Sequence, residues 1–225
     1  MKSRSSREEL LDGPIDDPQE FARSLVQVAQ VNRWLGGNRG LRRCLSPLLQ
    51  AGGRVSILDV GTGNGETLQE TLRWARARGG RWMGAGVDLG PHAAVLARRR
   101  GLPVAIADAR TLPFPDGAFD VVSCTLTLHH FDDSGARALV REMARVARRL
   151  VLVSDLERSG AHYLGARALG ATLWRRNRFT RHDGPLSVLR SFTAGELLSV
   201  GREAGLKEPG VRRFFPWRLV LSGEP

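Results

Sequence analysis

Asp59, Asp88 and Asp108 each close a short apolar run, and the first is followed by a glycine loop, Gly61-Thr62-Gly63-Asn64-Gly65. Glycines at these three positions let the chain turn sharply and bring backbone close to a ligand at a helix N-terminus. The spacing is D-x-G-x-G-x-G, whereas the dinucleotide fingerprint G-x-G-x-x-G would need glycine where Glu66 stands. A pyrophosphate wants backbone amides and little negative charge. Here two carboxylates, Asp59 and Glu66, flank the loop, which favours a ligand bearing positive charge. In Val87-Asp88-Leu89, the acid is placed to accept bonds from both hydroxyls of a ribose, and Leu89 offers an apolar face to a base. Asp108, in Ala107-Asp108-Ala109, can accept from an exocyclic amino group. Any one of these acids reads equally well as a turn or cap residue. Three at successive strand tips point to a nucleoside-containing cofactor.

S-adenosylmethionine, a nucleoside with an ammonium and a sulfonium, meets these demands. Methyl transfer from a sulfonium is an in-line displacement, so the protein mainly positions the nucleophile and excludes water. A hydroxyl or acidic-carbon acceptor is helped by a base. Thr125-Leu126-Thr127-Leu128-His129-His130-Phe131 delivers two imidazoles to the same edge. If they continue a strand they face opposite ways, so one points at the acceptor, and His130 is the preferred base. His182-Asp183 is another candidate pair, with the carboxylate holding the imidazole's tautomer; its plain reading is an exposed turn before Gly184-Pro185. His162 and Tyr163 are further pocket candidates. Cys124 follows Ser123 rather than the proline expected of a nucleophilic cysteine, and reads as core.

These groups need a scaffold, and strand–helix alternation supplies it. Val55–Val60, Trp82–Val87, Pro103–Ala107, Asp120–Leu126 and Leu150–Ser154 read as strands; Glu66–Arg78 and Pro91–Arg100 read as helices. A long helix carries Ala136, Leu139, Val140, Met143 and Val146 on one face. This is a doubly wound α/β domain with a mostly parallel sheet. Residues 16–51 read as two helices broken at Gly36-Gly37 and closed by Pro47 and Gly52-Gly53. Residues 156–191 begin helical and pass into a loop holding Asp183-Gly184-Pro185. Thr193-Ala-Gly-Glu196 is a capping box, and strands near Val211–Phe215 and Trp217–Ser222 form an antiparallel hairpin. The expected division is a helical lid over 1–53, a cofactor-binding core over 54–155, a substrate cap over 156–191 and a closing helix with hairpin over 192–225. Both outer segments should close the acceptor pocket, with Arg33, Trp34 and Arg39 near the cofactor.

Composition sets the frame. The 225 residues carry 42% hydrophobic and 25% charged content, which suits one globular domain with a real core and excludes a disordered or disulfide-built chain. Two cysteines, Cys44 and Cys124, are too few for a zinc cluster and fit a reducing interior, so no metal is expected. Absence of an apolar leader or an 18-residue apolar run leads to the expectation of a cytoplasmic protein without a membrane span. The formal net charge is +11, almost all of it from arginine. The arginines are spread along the chain, which argues against a nucleic-acid partner, although Arg158, Arg167, Arg175, Arg176, Arg178, Arg181 and Arg190 share a stretch with Asp183 as its only acid. That stretch can be a solvated face, an anion clamp or a nucleic-acid surface.

The segments ILDVGTGNGE, GVDLG, ADARTLPFPDGAFDVVSCTLTLHHF and REMARVARRLVLVSDL resemble the successive motifs of class I S-adenosylmethionine-dependent methyltransferases. They are most similar to the small-molecule group that includes ubiquinone and menaquinone biosynthesis enzymes. NRWLGGNRGLRR and the later SDLERS…RHDGPLSVLRSFTAGEL resemble a bacterial subgroup that modifies polyketides or other secondary metabolites. The resemblance covers about residues 54–155. It implies a Rossmann-like seven-stranded sheet with a reversed last strand. It also implies that Asp59 and the glycines Gly61, Gly63 and Gly65 bind the methionine part, Asp88 the ribose, and Asp108 with Ala109 the adenine, with Thr62 and Leu89 in the same cofactor set. Thr125 and Arg33 complete the expected cofactor set, and His129, His130 and His182 the catalytic candidates. The expected partner is a small organic acceptor methylated at oxygen or carbon, and monomer and homodimer both stay open. The alternatives are an RNA methyltransferase and a protein that binds the cofactor without transferring methyl.

Overall fold

A computed structural model describes residue 1 and residues 3–225. Its centre is a seven-stranded sheet built from β1 (Arg54–Val60), β2 (Arg81–Asp88), β3 (Val104–Ile106), β4 (Phe119–Thr125), β5 (Ala147–Leu156), β6 (Lys207–Phe214) and β7 (Arg218–Glu224). The order is β3-β2-β1-β4-β5-β7-β6. All pairings are parallel except those of β7, which runs antiparallel to both β5 and β6. The reversed strand and closing hairpin are as the sequence implies. Strand order reverses between β1 and β4, and the crevice above such a switch point is where open α/β sheets bind ligands.

Alternation within β1 divides the core between the two faces. Leu58 and Val60 join Leu139, Val140 and Met143 of α5 (Asp133–Val146) and Leu197 of α8 (Ala194–Glu203). Val55 and Ile57 join Leu41 and Leu45 of α2 (Gly37–Gln50), Leu68 of α3 (Glu66–Arg76) and Ala94 and Ala97 of α4 (Pro91–Arg99). A strand covered on both faces must be apolar throughout, which is why β1 and β4 read as continuous hydrophobic runs. The Thr193–Glu196 capping box is formed at the start of α8.

Three further helices lie outside this sandwich: α1 (Pro18–Trp34), α6 (Gly160–Ala171) and α7 (Arg178–Arg190). Asp17 caps α1 by accepting from the amides of Gln19 and Glu20, and Pro18 stands at its first turn. Two expected breaks are not breaks. Pro47 lies inside α2, on its exposed side, because the apolar face continues past it through Leu48 and Leu49. Asp183-Gly184-Pro185 lies inside α7 rather than in a loop. There the Asp183 carboxylate receives the amides of Leu10 and Leu11, and Gly184 leaves room for the Trp174 indole, which a Cβ would meet at 2.6 Å. Tertiary contacts override the local breaker signal at both places.

Candidate active site

A cavity of about 1010 Å³ opens over the carboxyl ends of the central strands. Phe21, Leu25, Val28 and Val31 of α1 form one apolar wall, and Ala166 and Leu169 of α6 with Ser187 of α7 form another. The segment before α1 contributes Glu9, Leu11, Asp12 and Ile15.

At the tip of β1, Gly61 and Gly63 line the cavity, whereas Asp59 lies beneath it. Asp59 accepts from Ser123 Oγ at 2.9 Å and from Thr62 Oγ1 at 3.0 Å, so it braces the loop from below. Burial, reinforced by the charge of Asp88, pushes its carboxyl up to about 6 against those two hydrogen bonds. The loop amides are largely spent: Gly61 and Thr62 donate to Val87 O, Gly63 to Asp88, Gly65 to Thr62 O and Glu66 to Asn64 Oδ1. A loop with its amides so engaged is no phosphate cradle. Thr62 packs under Gly86, and Gly65 packs against Leu102 and Ala97.

Asp88 lines the cavity at the tip of β2. Its Oδ2 accepts from Gly63 N at 2.7 Å and its Oδ1 from Gly90 N at 2.9 Å, and burial pushes its carboxyl up. Two backbone amides thus fix a carboxylate that still faces the cavity. Leu89 and Ala109 line the same end, with Leu89 largely exposed. Asp108 is there too, engaged by the Arg110 backbone and guanidinium, which hold its carboxyl below the usual range. The Thr125 hydroxyl is buried at the end of β4 without a partner. Arg33 is turned away, bound to Glu66 at 2.6 Å and Glu70 at 2.5 Å. Glu66 also meets Arg100, so it is a neutralised carboxylate rather than a free one. Trp34 is exposed and Arg39 lines a separate surface recess with Arg33; none of the three borders the main cavity.

The histidine pair departs from expectation. β4 ends at Thr125, Leu126 adopts φ 55°, and Leu128–His130 form a 3-10 turn. The two rings therefore do not face opposite ways; their centroids lie 4.4 Å apart with 31° between planes. His129 is held by Asp155, whose Oδ1 is 2.7 Å from Nδ1 and whose Oδ2 accepts the His129 amide. His130 Nδ1 is 2.7 Å from Asp12 Oδ1. Both Nε2 atoms face Glu9, at 3.6 Å from His129 and 3.9 Å from His130. Burial opposes the charged form of His130, but Asp12 and Glu9 outweigh it and push the imidazolium up to about 9. Glu9, His129 and His130 bring one donor atom each within 4.8 Å of one another, a set that can hold a cation. Arg190 already supplies positive charge there, with Nε 3.7 Å from Glu9 Oε1 and bonds to the carbonyls of Arg7, His129 and His130.

His182 pairs with Asp183 as the sequence suggests, 2.7 Å apart, but does not line the cavity. His162 does line it, stacked on Trp217 at 5.0 Å, and burial lowers it to about 4 despite its bond to Glu157 O. Tyr163 does not line it. Three arginines of the basic stretch find acids elsewhere in the chain: Arg158 on Glu196, Arg178 on Asp16 and Glu20, Arg190 on Glu9 and Asp12. Sequence reasoning missed Glu9, Asp12, Asp155, Arg190 and Arg218. Asp155 had a signal, since Ser154-Asp155-Leu156 repeats the acid-at-a-strand-tip pattern of Val87-Asp88-Leu89. Glu9 and Asp12 had none; they reach the site by a long-range tether.

A nucleoside-compatible carboxylate at a switch point, in a Rossmann-like sheet with a reversed seventh strand, defines the methyltransferase class of α/β fold. Residues 57–149 match the family model "Methyltransferase domain". The chain is 35% identical over 122 residues to demethylmenaquinone methyltransferase of Roseiflexus castenholzii, covering 51% of this chain and 47% of that protein. It is 45% identical over 83 residues to the Thermus thermophilus protein of the same name, covering 34% and 36%. The chain thus spans about half the length of the curated relatives it matches. Among solved structures, a SAM-dependent methyltransferase from Aquifex aeolicus superposes with TM-score 0.62 at 16% identity, over 92% of this chain and 97% of that one. Magnesium protoporphyrin IX methyltransferase from Synechocystis with bound SAH superposes with TM-score 0.54 at 18% identity, over 85% and 84%. Over the matched stretch the chain is similar to the S-adenosylmethionine-dependent methyltransferases, and its fold is theirs.

Proposed function

We propose that this protein transfers a methyl group from S-adenosylmethionine to a small organic acceptor bound in the cavity between the sheet edge and the helices α1, α6 and α7. The observation that carries this reading is Asp88: a cavity-facing carboxylate pinned by the amides of Gly63 and Gly90 at the tip of β2. Its arrangement suits a ribose diol, and Leu89, Asp108 and Ala109 beside it suit an adenine. Gly61 and Gly63 leave the methionine part close backbone contact, with Asp59 supporting the loop. S-adenosylmethionine, when bound, supplies a methyl group on a positively charged sulfur, which needs no further activation.

The acceptor half is the wall formed by His129, His130, Leu156 and Trp217. Asp155 fixes the His129 ring, so this is the imidazole we assign to proton removal from an acceptor hydroxyl or enol. His130 already holds its proton at neutral pH and instead favours an acceptor that becomes negative. The sequence-based preference for His130 as base is therefore reassigned, because Asp12 and Glu9 keep that ring charged. The apolar helix walls exclude water and orient the acceptor. No helix is long and apolar enough to cross a membrane among the described residues.

Calorimetric titration with S-adenosylhomocysteine tests the cofactor site. Wild type should bind, and Asp88→Ala should bind about 10- to 100-fold more weakly through loss of charged hydrogen bonds. Unchanged affinity would remove Asp88 from the site.

A further inference from the structure

Arg218 opens β7 at the same sheet edge, in register with Leu156 of β5 and Phe214 of β6. It is 2% exposed, yet its Nε and Nη1 have no hydrogen-bond partner and no carboxylate lies within 4.0 Å among the described residues. Asp155, the acid whose charge bears on it, spends its oxygens on His129 and the Leu156 amide. A guanidinium stripped of water and left unpaired is strongly unfavourable. Arg218 nevertheless forms part of the cavity wall, next to Trp217. Burial lowers it only to about 10, so it remains a cation at neutral pH.

Position separates this cation from the cofactor. β7 lies three strand spacings from β1, about 14 Å at roughly 4.8 Å per strand, on the side away from β2 and β3. The anion that pairs with Arg218 is therefore on the acceptor rather than on the cofactor's methionine end. Leu156, in register with it, and the Trp217 indole stacked on His162 are its apolar neighbours, and the same cavity is also lined by Leu169 and Trp174. His162, lowered to about 4, is neutral, so of the two basic groups beside Trp217 it is Arg218 that carries the charge. We propose that Arg218 anchors a carboxylate on the methyl acceptor, and that the acceptor class is an apolar, ring-bearing organic acid. This deepens, and rests on, the methyltransferase reading.

The test uses 2-naphthoate and its neutral isostere 2-naphthamide as probes. Each is titrated calorimetrically into the full chain, with and without S-adenosylhomocysteine. Wild type should bind naphthoate about 10- to 100-fold more tightly than naphthamide. Arg218→Leu should erase that preference while leaving S-adenosylhomocysteine affinity unchanged, and Arg218→Lys should keep part of it. If Arg218→Leu fails to fold by circular dichroism, the wild-type preference and the Arg218→Lys value decide. Equal binding of the two probes, no naphthoate binding to wild type, or a preference that survives in Arg218→Leu overturns the proposal. Failure of wild type to bind S-adenosylhomocysteine would count against the methyltransferase reading instead, and the probe preference would still be read without it.

Discussion

His130 Nδ1 lies 2.7 Å from Oδ1 of Asp12, a residue 118 positions earlier in the chain. The contact ties the segment ahead of α1 to the turn that follows β4, and with Arg190 it pulls Glu9 into a buried position over both histidines. Asp12 is correspondingly held below the ordinary carboxylate range.

The tether has a pH signature. His130 is raised above its unfolded value of 6.5, so its contribution to stability is complete below about 6.5 and lost as pH rises through about 9. Asp12 is lowered, so its contribution is present above its unfolded value and lost as pH falls through the folded one. An NMR titration should place the His130 midpoint near 9 in wild type and shift it downward in Asp12→Asn. Thermal melts should show the wild-type advantage over that variant shrinking between pH 6.5 and 9. A His130 midpoint near 6.5 in wild type would break the tether's charge assignment.

Two loop glycines separate strain from clash. Gly63 has φ 56°, and a Cβ there meets only Leu25 at 4.0 Å; Gly61 has φ 69°, and a Cβ meets the Thr127 side chain at 2.3 Å. Gly63→Ala should cost about 1–2 kcal/mol from left-handed backbone alone. Gly61→Ala should cost more, measured by urea unfolding. Equal losses would mean that Thr127 gives way freely. Gly63→Val should also abolish cofactor binding, because its side chain occupies the open space before the loop.

Removing residues 1–15 takes away Glu9, Leu11, Asp12 and Ile15 but no residue of the two main sheet-face clusters. The truncated chain should keep its sheet and bind S-adenosylhomocysteine, while methyl transfer falls at least about 10-fold from lost water exclusion and positioning. Full activity would refute a lid role for this segment. A longer deletion of residues 1–40 is a poorer test, since it cuts into α2, where Gly40 packs on Val220 and Phe214.

The strand-tip acids and the glycine loop were legible because their logic is local. Each acid follows directly on a strand, and strand order follows from β–α alternation, so Asp88 and the glycine loop could be placed from spacing alone. Asp59 marks the boundary of that logic: its type and position were readable, but its role under the loop depends on Ser123 of a neighbouring strand. The cavity wall around the two histidines is built from distant segments. Asp12 meets His130 directly and Glu9 faces both rings, with Arg190 beside them, and Arg218 reaches the cavity because a reversed strand places its start at the carboxyl edge. Nothing in the spacing around any of these residues announces the meeting. The two misplaced breaks, Pro47 and Asp183-Gly184-Pro185, fail for the same reason: buried partners outweigh local preference.

His129 and Asp155 bear on the chemistry most directly. Asp155→Asn keeps the size of the side chain and weakens the hold on the imidazole. With acceptor in hand, turnover should fall about 10²–10⁴-fold in His129→Ala and by a smaller factor in Asp155→Asn, with S-adenosylhomocysteine affinity unchanged in both. Near-normal turnover in both variants would leave positioning and desolvation as the whole mechanism.

The central measurement is transfer of a labelled methyl. Full-length protein is incubated with S-adenosylmethionine carrying a trideuterated methyl and a metabolite extract of its host, and the small-molecule fraction is compared by mass spectrometry with an Asp88→Ala control. The expected result is a trideuteromethylated organic acid formed by wild type and strongly reduced in the control. Label found on RNA alone, or no labelled product from a protein that binds S-adenosylhomocysteine normally, would contradict transfer to a small acceptor.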